Sequence, residues 1–311
     1  MTKNIRHIPV MLNEVLEALS PKDGEIYVDA TFGNGGYSEA ILKSANCKVI
    51  AIDRDPSVLK RADELKQLYG DRFEFRAGEF GQLDNIIIEN VDGVVFDIGV
   101  SSMQLDDDFR GFSFSKEADL DMRMSSKGIS AKDIINTSSE EDLANIIYNY
   151  GEEKKSRQIA RKICQQREIA KIKTTTELAE IIYSINPKKF GQIDPATRTF
   201  QAIRIAVNDE LNQLEYGLKA ASEIVKENGR VVVVDFHSLE DRIVKNFFNQ
   251  NSPKKVHTSK YNKSKEEIDY TKIFSFSSKA IAPSSEECNQ NPRSRSAKLR
   301  YAIKRKEFIN E

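Results

Sequence analysis

Ile26-Tyr27-Val28-Asp29-Ala30-Thr31-Phe32-Gly33-Asn34-Gly35-Gly36 reads as a buried strand running into a glycine-rich turn. A short helix from Ser38 follows, then a second strand, Lys48 to Ile52, that ends at Asp53. Strand, glycine turn, helix, strand and acid form a nucleotide-cofactor arrangement. Glycine lets the backbone approach a ligand, and an acid at the tip of the second strand can bind two ribose hydroxyls. Asp53 lies 20 residues after Gly33, the right distance. Taken alone the turn is not a clean G-x-G-x-x-G, and a purely geometric role for its glycines stays open.

Upstream, Val10, Met11, Leu12, Val15, Leu16 and Leu19 recur at helical spacing, with Pro21 and Gly24 as the stop. Downstream, a helix is predicted over Pro56 to Leu68, and strands over Arg72 to Arg76 and Gly93 to Ile98. Strands alternating with helices imply a parallel sheet covered on both faces. The alternation stops after Gly111, and Ser130 to Ile185 shows helical periods alone. Asp194 and Pro195 open what reads as one long helix, with a stripe from Phe200 through Leu211 and Leu218 to Val225 and a stop at Gly229. Arg230 to Phe236 is a buried strand, and Ser238 and Asp241 have capping-box spacing. Asn251 to Lys272 is lysine-rich and polar and reads as a mobile loop. Ile273 to Phe276 and Lys298 to Ile303 are two last strands with no helical crossover between them, so they should pair antiparallel. The expected organisation is an α/β domain over 1–112 and 194–311, with an all-helical insertion over 113–193 that takes substrate.

The composition narrows the class. With 39% apolar and 31% charged residues in 311, the chain builds a core and is not disordered. Lys+Arg of 47 against Asp+Glu of 48 excludes a uniformly basic coat but not a local patch. Three scattered cysteines, Cys47, Cys164 and Cys288, exclude a disulfide framework and fit a reducing cytosol. No group of residues has metal-ligand spacing, so no metal is expected. The first nineteen residues lack an apolar signal-peptide core, and no apolar run spans a bilayer, so a cytoplasmic protein without membrane partners is expected.

Asp29 and Asp97 move the cofactor from a dinucleotide towards S-adenosylmethionine. Asp29 precedes the glycines, where an acid faces a cationic amino group and would be unwelcome beside a pyrophosphate. Asp97, ending the strand after Gly93, adds a second carboxylate to the same crevice. The antiparallel final hairpin also suits a methyltransferase sheet.

At this point the sequence resembles the bacterial small-subunit (16S) ribosomal RNA cytosine-N4 methyltransferases. The motifs that carry the resemblance are Asp29-Ala-Thr-Phe-Gly-Asn-Gly-Gly36, Ala51-Ile-Asp-Arg-Asp-Pro56, Phe96-Asp-Ile-Gly-Val-Ser-Ser102 with Gln104-Leu-Asp106, and Arg110-Gly-Phe-Ser-Phe114. They continue with Leu120-Asp-Met-Arg-Met124, Pro195-Ala-Thr-Arg-Thr-Phe-Gln201, Phe236-His-Ser-Leu-Glu-Asp-Arg242 and Asn291-Pro-Arg-Ser-Arg-Ser-Ala-Lys-Leu-Arg300. They run in order along nearly the whole chain. Asn34, Tyr37 and Met103 depart from the family's usual Arg, His and Pro.

The resemblance implies a Rossmann-like class I methyltransferase sheet with an antiparallel final strand. It implies S-adenosylmethionine contacts at Gly35, Gly36, Tyr37, Asp53, Phe80, Asp97 and Gln104, with the Phe80 ring on the adenine. It implies methyl transfer to the N4 amine of a cytosine in the decoding region of 16S ribosomal RNA, within the small ribosomal subunit.

An in-line displacement needs the amine positioned against the methyl carbon, and acceptors that localise its lone pair. The Pro-Pro-aromatic motif of DNA amino-methyltransferases is absent. Asp97, Ser101 or a backbone carbonyl is therefore the candidate acceptor, and a cofactor-only role for Asp97 stays open beside it. His237 is a candidate substrate contact or part of a helix start. For RNA the candidates are Arg110, Arg123 and Arg198 in the motifs, Lys154, Arg157 and Arg161 at helical spacing, and Arg293 and Arg295 in the C-terminal basic run. The alternatives are a DNA cytosine-N4 methyltransferase, a nicotinamide dehydrogenase that shares only the turn, and a non-enzymatic RNA-binding or ribosome assembly protein.

Overall fold

The structure is a computed structural model that describes residues 9–101, 104, 109–125, 127–253 and 272–305. Most of the Asn251–Lys272 segment, the Asp106-Asp107-Asp108 run and Met103 therefore lie outside the described residues. The chain divides into two compact units, 1–99 with 211–311, and 100–210.

The first unit carries a seven-stranded sheet. Its strands are β1 (Ile26–Asp29), β2 (Lys48–Asp53), β3 (Phe73–Ala77), β4 (Val91–Asp97), β5 (Val225–Asp235), β6 (Phe274–Phe276) and β7 (Lys298–Lys304). The spatial order is β3-β2-β1-β4-β5-β7-β6. The first five strands are parallel; β7 runs antiparallel to both β5 and β6. The antiparallel final pair follows from the missing helical crossover, since a parallel pair needs a long return path.

The helices of this unit are α1 (Leu12–Leu19), α2 (Gly36–Ser44), α3 (Leu59–Tyr69), α4 (Leu83–Ile86), α10 (Glu210–Ile224), α11 (Ser238–Gln250) and α12 (Ser285–Gln290). Val94, Phe96, Val231 and Val233 face Leu214 and Leu218 of α10 and Val244 and Phe248 of α11 in one continuous core. Val231 to Val234 are all fully buried, as a central strand covered on both faces requires. Each such side chain contributes roughly 1.5–3 kcal/mol relative to exposure.

The second unit holds α5 (Ala131–Thr137), α6 (Glu140–Gly151), α7 (Ser156–Ile169), α8 (Thr175–Ile185) and α9 (Ala196–Asn208). Side-chain caps fix their starts: Ser130 and Asp133 form a capping box on α5, Thr174 and Glu177 one on α8, and Ser139 caps α6. Ile135, Leu143, Ile147, Ile159, Ile163, Leu178, Ile182, Phe200 and Ile203 form its core.

Three expectations change. The stripe from Phe200 to Val225 is shared by two helices, not one. α9 stops at Asn208 because Asp209 takes a left-handed conformation at φ 52. α10 ends at Ile224, five residues before the expected stop at Gly229. β5 begins there, and its pairing jumps from Val225–Val91 to Arg230–Gly93, leaving 226–229 outside the ladder with Asn228 at φ 63. The capping box of α11 sits one residue earlier than its spacing implied. His237 is the cap and Glu240 its partner, in place of Ser238 and Asp241.

Candidate cofactor site at the carboxyl edge of the sheet

Strand order reverses between β1 and β4, and in open α/β sheets ligands bind in the crevice outside the carboxyl ends at such a point. β1, β2 and β4 end there in Asp29, Asp53 and Asp97.

Asp53 builds the turn. Its Oδ2 accepts from Gly33 N at 2.8 Å and its Oδ1 from Asp55 N at 2.8 Å. Each carboxylate oxygen can accept a second bond, so the carboxylate retains capacity for ligand hydroxyls. Burial raises its carboxyl from the ordinary value, and these two backbone bonds oppose the rise. Gly33 (φ 51) and Gly35 (φ 70) are left-handed, and a Cβ on Gly35 would lie 2.8 Å from the Phe32 ring. A Cβ on Gly36 would lie 2.2 Å from Pro9. Here glycine serves packing.

Asp29 does not face outward to a ligand, as the sequence suggested. It is fully buried; Oδ2 accepts from Ser38 N at 3.1 Å and Ser38 Oγ at 2.6 Å, and Oδ1 from Thr31 N at 3.3 Å. It ties β1 to the first turn of α2. Burial raises its pKa to about 6. Ser38 and Thr31 were missed as positioning residues, because a hydroxyl next to a glycine turn looks like ordinary turn chemistry.

Tyr37 is also buried, and its hydroxyl donates to Val10 O. The ring at the family's His position is thus held by the Pro9–Met11 segment. Phe80 is half-buried and meets Phe96 edge to face at 5.8 Å. Gly217 of α10 makes room for it: a Cβ there would lie 2.8 Å from the Phe80 ring.

Asp97 differs from the other two aspartates. Its N–H donates to Thr31 Oγ1 at 2.6 Å, but its Oδ1 is buried with no partner among the described residues. Burial raises its pKa to about 8, with repulsion from Asp29 and Glu240 adding to it. A buried carboxylate oxygen without a donor suits a ligand that brings N–H groups and positive charge. It does not suit a pyrophosphate.

His237 sits at the end of β5 with its ring directed at Glu240. Nδ1 accepts from Glu240 N at 3.4 Å, and Nε2 lies 3.0 Å from Glu240 Oε1. Its neighbour Asp235 went unremarked in the sequence, although an acid closing the run Val231–Val234 was a visible signal. It is fully buried, with both carboxylate oxygens unpartnered among the described residues.

In the second unit, Ser101 and Gln104 bond reciprocally. Ser101 N donates to Gln104 Oε1 at 3.0 Å, and Gln104 N to Ser101 Oγ at 3.2 Å.

The basic candidates separate into two groups. Arg110 donates to the carbonyls of Arg123 and Met124 at 2.8 Å, and Arg123 pairs with Asp121 at 2.6 Å. Both guanidinium groups hold the segment whose Leu120, Met122 and Met124 enter the core. Lys154, Arg157, Arg161, Arg198, Arg293 and Arg295 are exposed, Arg161 beside Glu140 at 3.4 Å and Arg157 bonded to Asn145 at 2.8 Å. In the C-terminal run, Lys298 and Arg300 hold Asp241 at 2.8 and 2.6 Å, and Lys304 holds the carbonyls of Ser222 and Val225.

A parallel sheet with one antiparallel strand inserted at its end, a glycine turn after β1, an acid ending β2 and an unpartnered acid ending β4 define a class I methyltransferase. The comparisons with known proteins give the family. The chain matches the MraW methylase family over residues 4–305, and it belongs to that family. It is 56% identical over 298 residues to the ribosomal RNA small subunit methyltransferase H of Rickettsia massiliae (strain Mtu5), covering 95% of this chain and 97% of that one. It is 55% identical, with the same coverage, to the protein of that name from Rickettsia conorii (strain ATCC VR-613 / Malish 7). Among solved structures, an rRNA methylase from Streptococcus thermophilus aligns over 95% of this chain and 94% of its own, at 11% identity and a TM-score of 0.41. The assignment rests on the sequence relatives, not on that alignment.

Proposed function

We propose that this protein transfers a methyl group from S-adenosylmethionine to the N4 amine of a cytosine in the decoding region of small-subunit ribosomal RNA, acting on the small ribosomal subunit. The observation that carries the chemistry is the unpartnered Asp97 Oδ1 at the switch point. The name of the relatives that match nearly the whole chain supports the substrate.

The residues present fit the cofactor. Asp53 offers a carboxylate to the ribose hydroxyls, Gly33 to Gly36 let the backbone approach, and Phe80 offers an aromatic surface at the end of β3. Gln104 is assigned to the cofactor on the resemblance alone. S-adenosylmethionine supplies the methyl group on an electrophilic sulfonium. The protein's part is to hold the amine in line and accept from its protons as positive charge develops.

Asp97 Oδ1 can accept from an N–H donor, and the reaction brings two: the ammonium of the methionine moiety and the cytosine amine. Asp97→Asn separates them. Lost cofactor affinity assigns the carboxylate to the cofactor; lost turnover with intact affinity assigns it to the amine.

The test of the proposal is methyl-label transfer from S-adenosylmethionine to small-subunit ribosomal RNA, with cytosine-containing duplex DNA and label-free binding of a nicotinamide cofactor as controls. Labelled ribosomal RNA supports it. Labelled DNA with unlabelled RNA, or binding of the nicotinamide cofactor alone, contradicts it.

A further inference from the structure

One end of the helical unit gathers cations and exposed apolar side chains. Lys155 Nζ donates to Ile185 O at 3.0 Å and Asn186 Oδ1 at 3.3 Å, which ties the start of α7 to the end of α8. Arg198 Nη1 donates to Glu152 O at 3.4 Å and Gln201 Nε2 to Tyr150 O at 3.3 Å, which ties the start of α9 to the end of α6. Gly151 permits that crossing, since a Cβ there would lie 2.5 Å from Arg198 O. The loop from Asn186 to Pro195 leaves α8 and enters α9 at this same end.

The loop holds Phe190 completely exposed, at 107%, and Ile193 at 80%. Leaving a Phe in water forgoes roughly 1.5–3 kcal/mol of burial, and no element of its own unit covers it. At the same end Lys154, Arg157, Lys189 and Arg198 are exposed. Of the nearby acids, Glu152 is exposed, Asp194 is engaged by Lys188 at 3.0 Å and by the Tyr183 hydroxyl, and Glu153 is buried and accepts from Lys155 N. Exposed cations therefore outnumber exposed acids at this end, where the exposed aromatic also lies. A protein-binding patch has the opposite composition, with charge depleted around its aromatic anchors. Single-stranded RNA is bound by aromatic side chains that stack on unpaired bases beside cations that follow the phosphates.

We propose that this end of the helical unit binds single-stranded RNA, with Phe190 stacked on an unpaired base and Lys154, Arg157, Lys189 and Arg198 on the flanking phosphates. The inference rests on the reading of the substrate as ribosomal RNA and names the surface that holds it.

The test uses the full chain and anisotropy titrations against a single-stranded RNA of decoding-region sequence and a duplex of equal length, at several salt concentrations. Phe190→Ala should weaken single-strand binding roughly five- to a hundredfold. The salt slope and the calorimetric affinity for S-adenosylmethionine should stay at wild-type values. Phe190→Leu keeps apolar surface without a π face and should lose most of the same affinity. Lys154→Gln, Arg157→Gln and Lys189→Gln should each reduce the salt slope by about 0.7. Wild-type single-strand affinity in Phe190→Ala, or full affinity in Phe190→Leu, overturns the proposal. So does a Phe190→Ala defect on assembled small subunits that naked RNA does not show, since that points to a protein partner. If the wild-type protein neither binds nor methylates the RNA, the substrate reading itself fails, and the proposal falls with it.

Discussion

Gly33 and Asp53 stand 20 residues apart in the chain and are joined by a 2.8 Å hydrogen bond from the glycine N–H to the carboxylate. The carboxylate that would hold the ribose therefore also closes the turn that approaches the ligand. Asp53→Ala removes both. Hydrogen bonds to a charged group contribute about 1.5–3 kcal/mol each, so cofactor affinity should fall at least tenfold. The melting temperature should fall modestly, because Gly33 N–H loses its acceptor. Calorimetric titration of the folded variant checks this; wild-type affinity would contradict it.

Burial pushes the pKa of Asp97 up to about 8, and its Oδ1 has no partner among the described residues. If the cofactor's ammonium is its partner, the cation pairs with the carboxylate form, and affinity for S-adenosylmethionine should rise with pH up to about 8 and then level. Near neutral pH, binding should release protons to the buffer. Titrations in buffers of different ionisation enthalpy measure both effects. Asp97→Asn should then abolish the pH dependence, and a dependence that survives in that variant would exclude Asp97 as the ammonium's partner.

Asp235 is a buried acid with no role in the proposed chemistry. Burial and the neighbouring Asp241 and Glu240 raise its pKa to about 8, against the opposing pull of Lys298 and Arg300. The unfolded value is about 3.9. Between those two pH values the native state keeps a proton that the unfolded state has released, so this group's contribution to stability falls as pH rises. Asp235→Asn should raise the melting temperature by a few degrees at pH about 8.5 and by less at pH about 5. Thermal unfolding across pH checks it; equal shifts at both ends would contradict it.

Much of this architecture was legible in the sequence because it depends on period and on punctuation. Continuous apolar runs such as Val231–Val234 marked the buried strands, and the glycine turn with Asp53 marked the crevice. The sequence is less legible where a side chain chooses between two plausible partners. Asp29 has the position of a ligand contact, but Ser38 offers it two donors, and a buried carboxylate takes the partners nearest to it. The long stripe from Phe200 to Val225 kept its period across Asp209, since one left-handed residue leaves no trace in hydrophobic spacing. Arg110 and Arg123 stand in the motifs as substrate candidates, and spacing alone does not reveal the backbone carbonyls and Asp121 that they also bond. Phe190 belongs to no periodic stripe; its only signal was an aromatic between two lysines and a glycine.

Asn208, where α9 stops, accepts from Met124 N at 2.8 Å and donates to Met122 O at 2.8 Å and Arg204 O at 2.9 Å. Asn208→Ala would strand a buried N–H and a buried carbonyl. The expected loss is about 2–4 kcal/mol, read by denaturant unfolding. A loss well under 1 kcal/mol would show that the segment finds other partners.

If Arg110 holds the Arg123–Met124 carbonyls in the free protein and in the complex alike, Arg110→Gln should lower the unfolding midpoint. Its affinity for RNA, measured on the folded fraction, should stay within about twofold of wild type, whereas Arg157→Gln should show the reverse pattern. Anisotropy titrations paired with unfolding curves separate the two outcomes. Weakened RNA binding in Arg110→Gln with an unchanged midpoint would return that residue to the substrate surface.

Methylation of a cytosine amine in small-subunit ribosomal RNA can be read directly. The most direct test incubates the protein with S-adenosylmethionine and small ribosomal subunits that lack the modification, digests the RNA, and identifies methylated nucleosides by mass spectrometry. N4-methylcytidine is expected at a single decoding-region site, and none with Asp97→Ala. A methylated nucleoside of another kind, or none at all while S-adenosylmethionine binding remains intact, would contradict it.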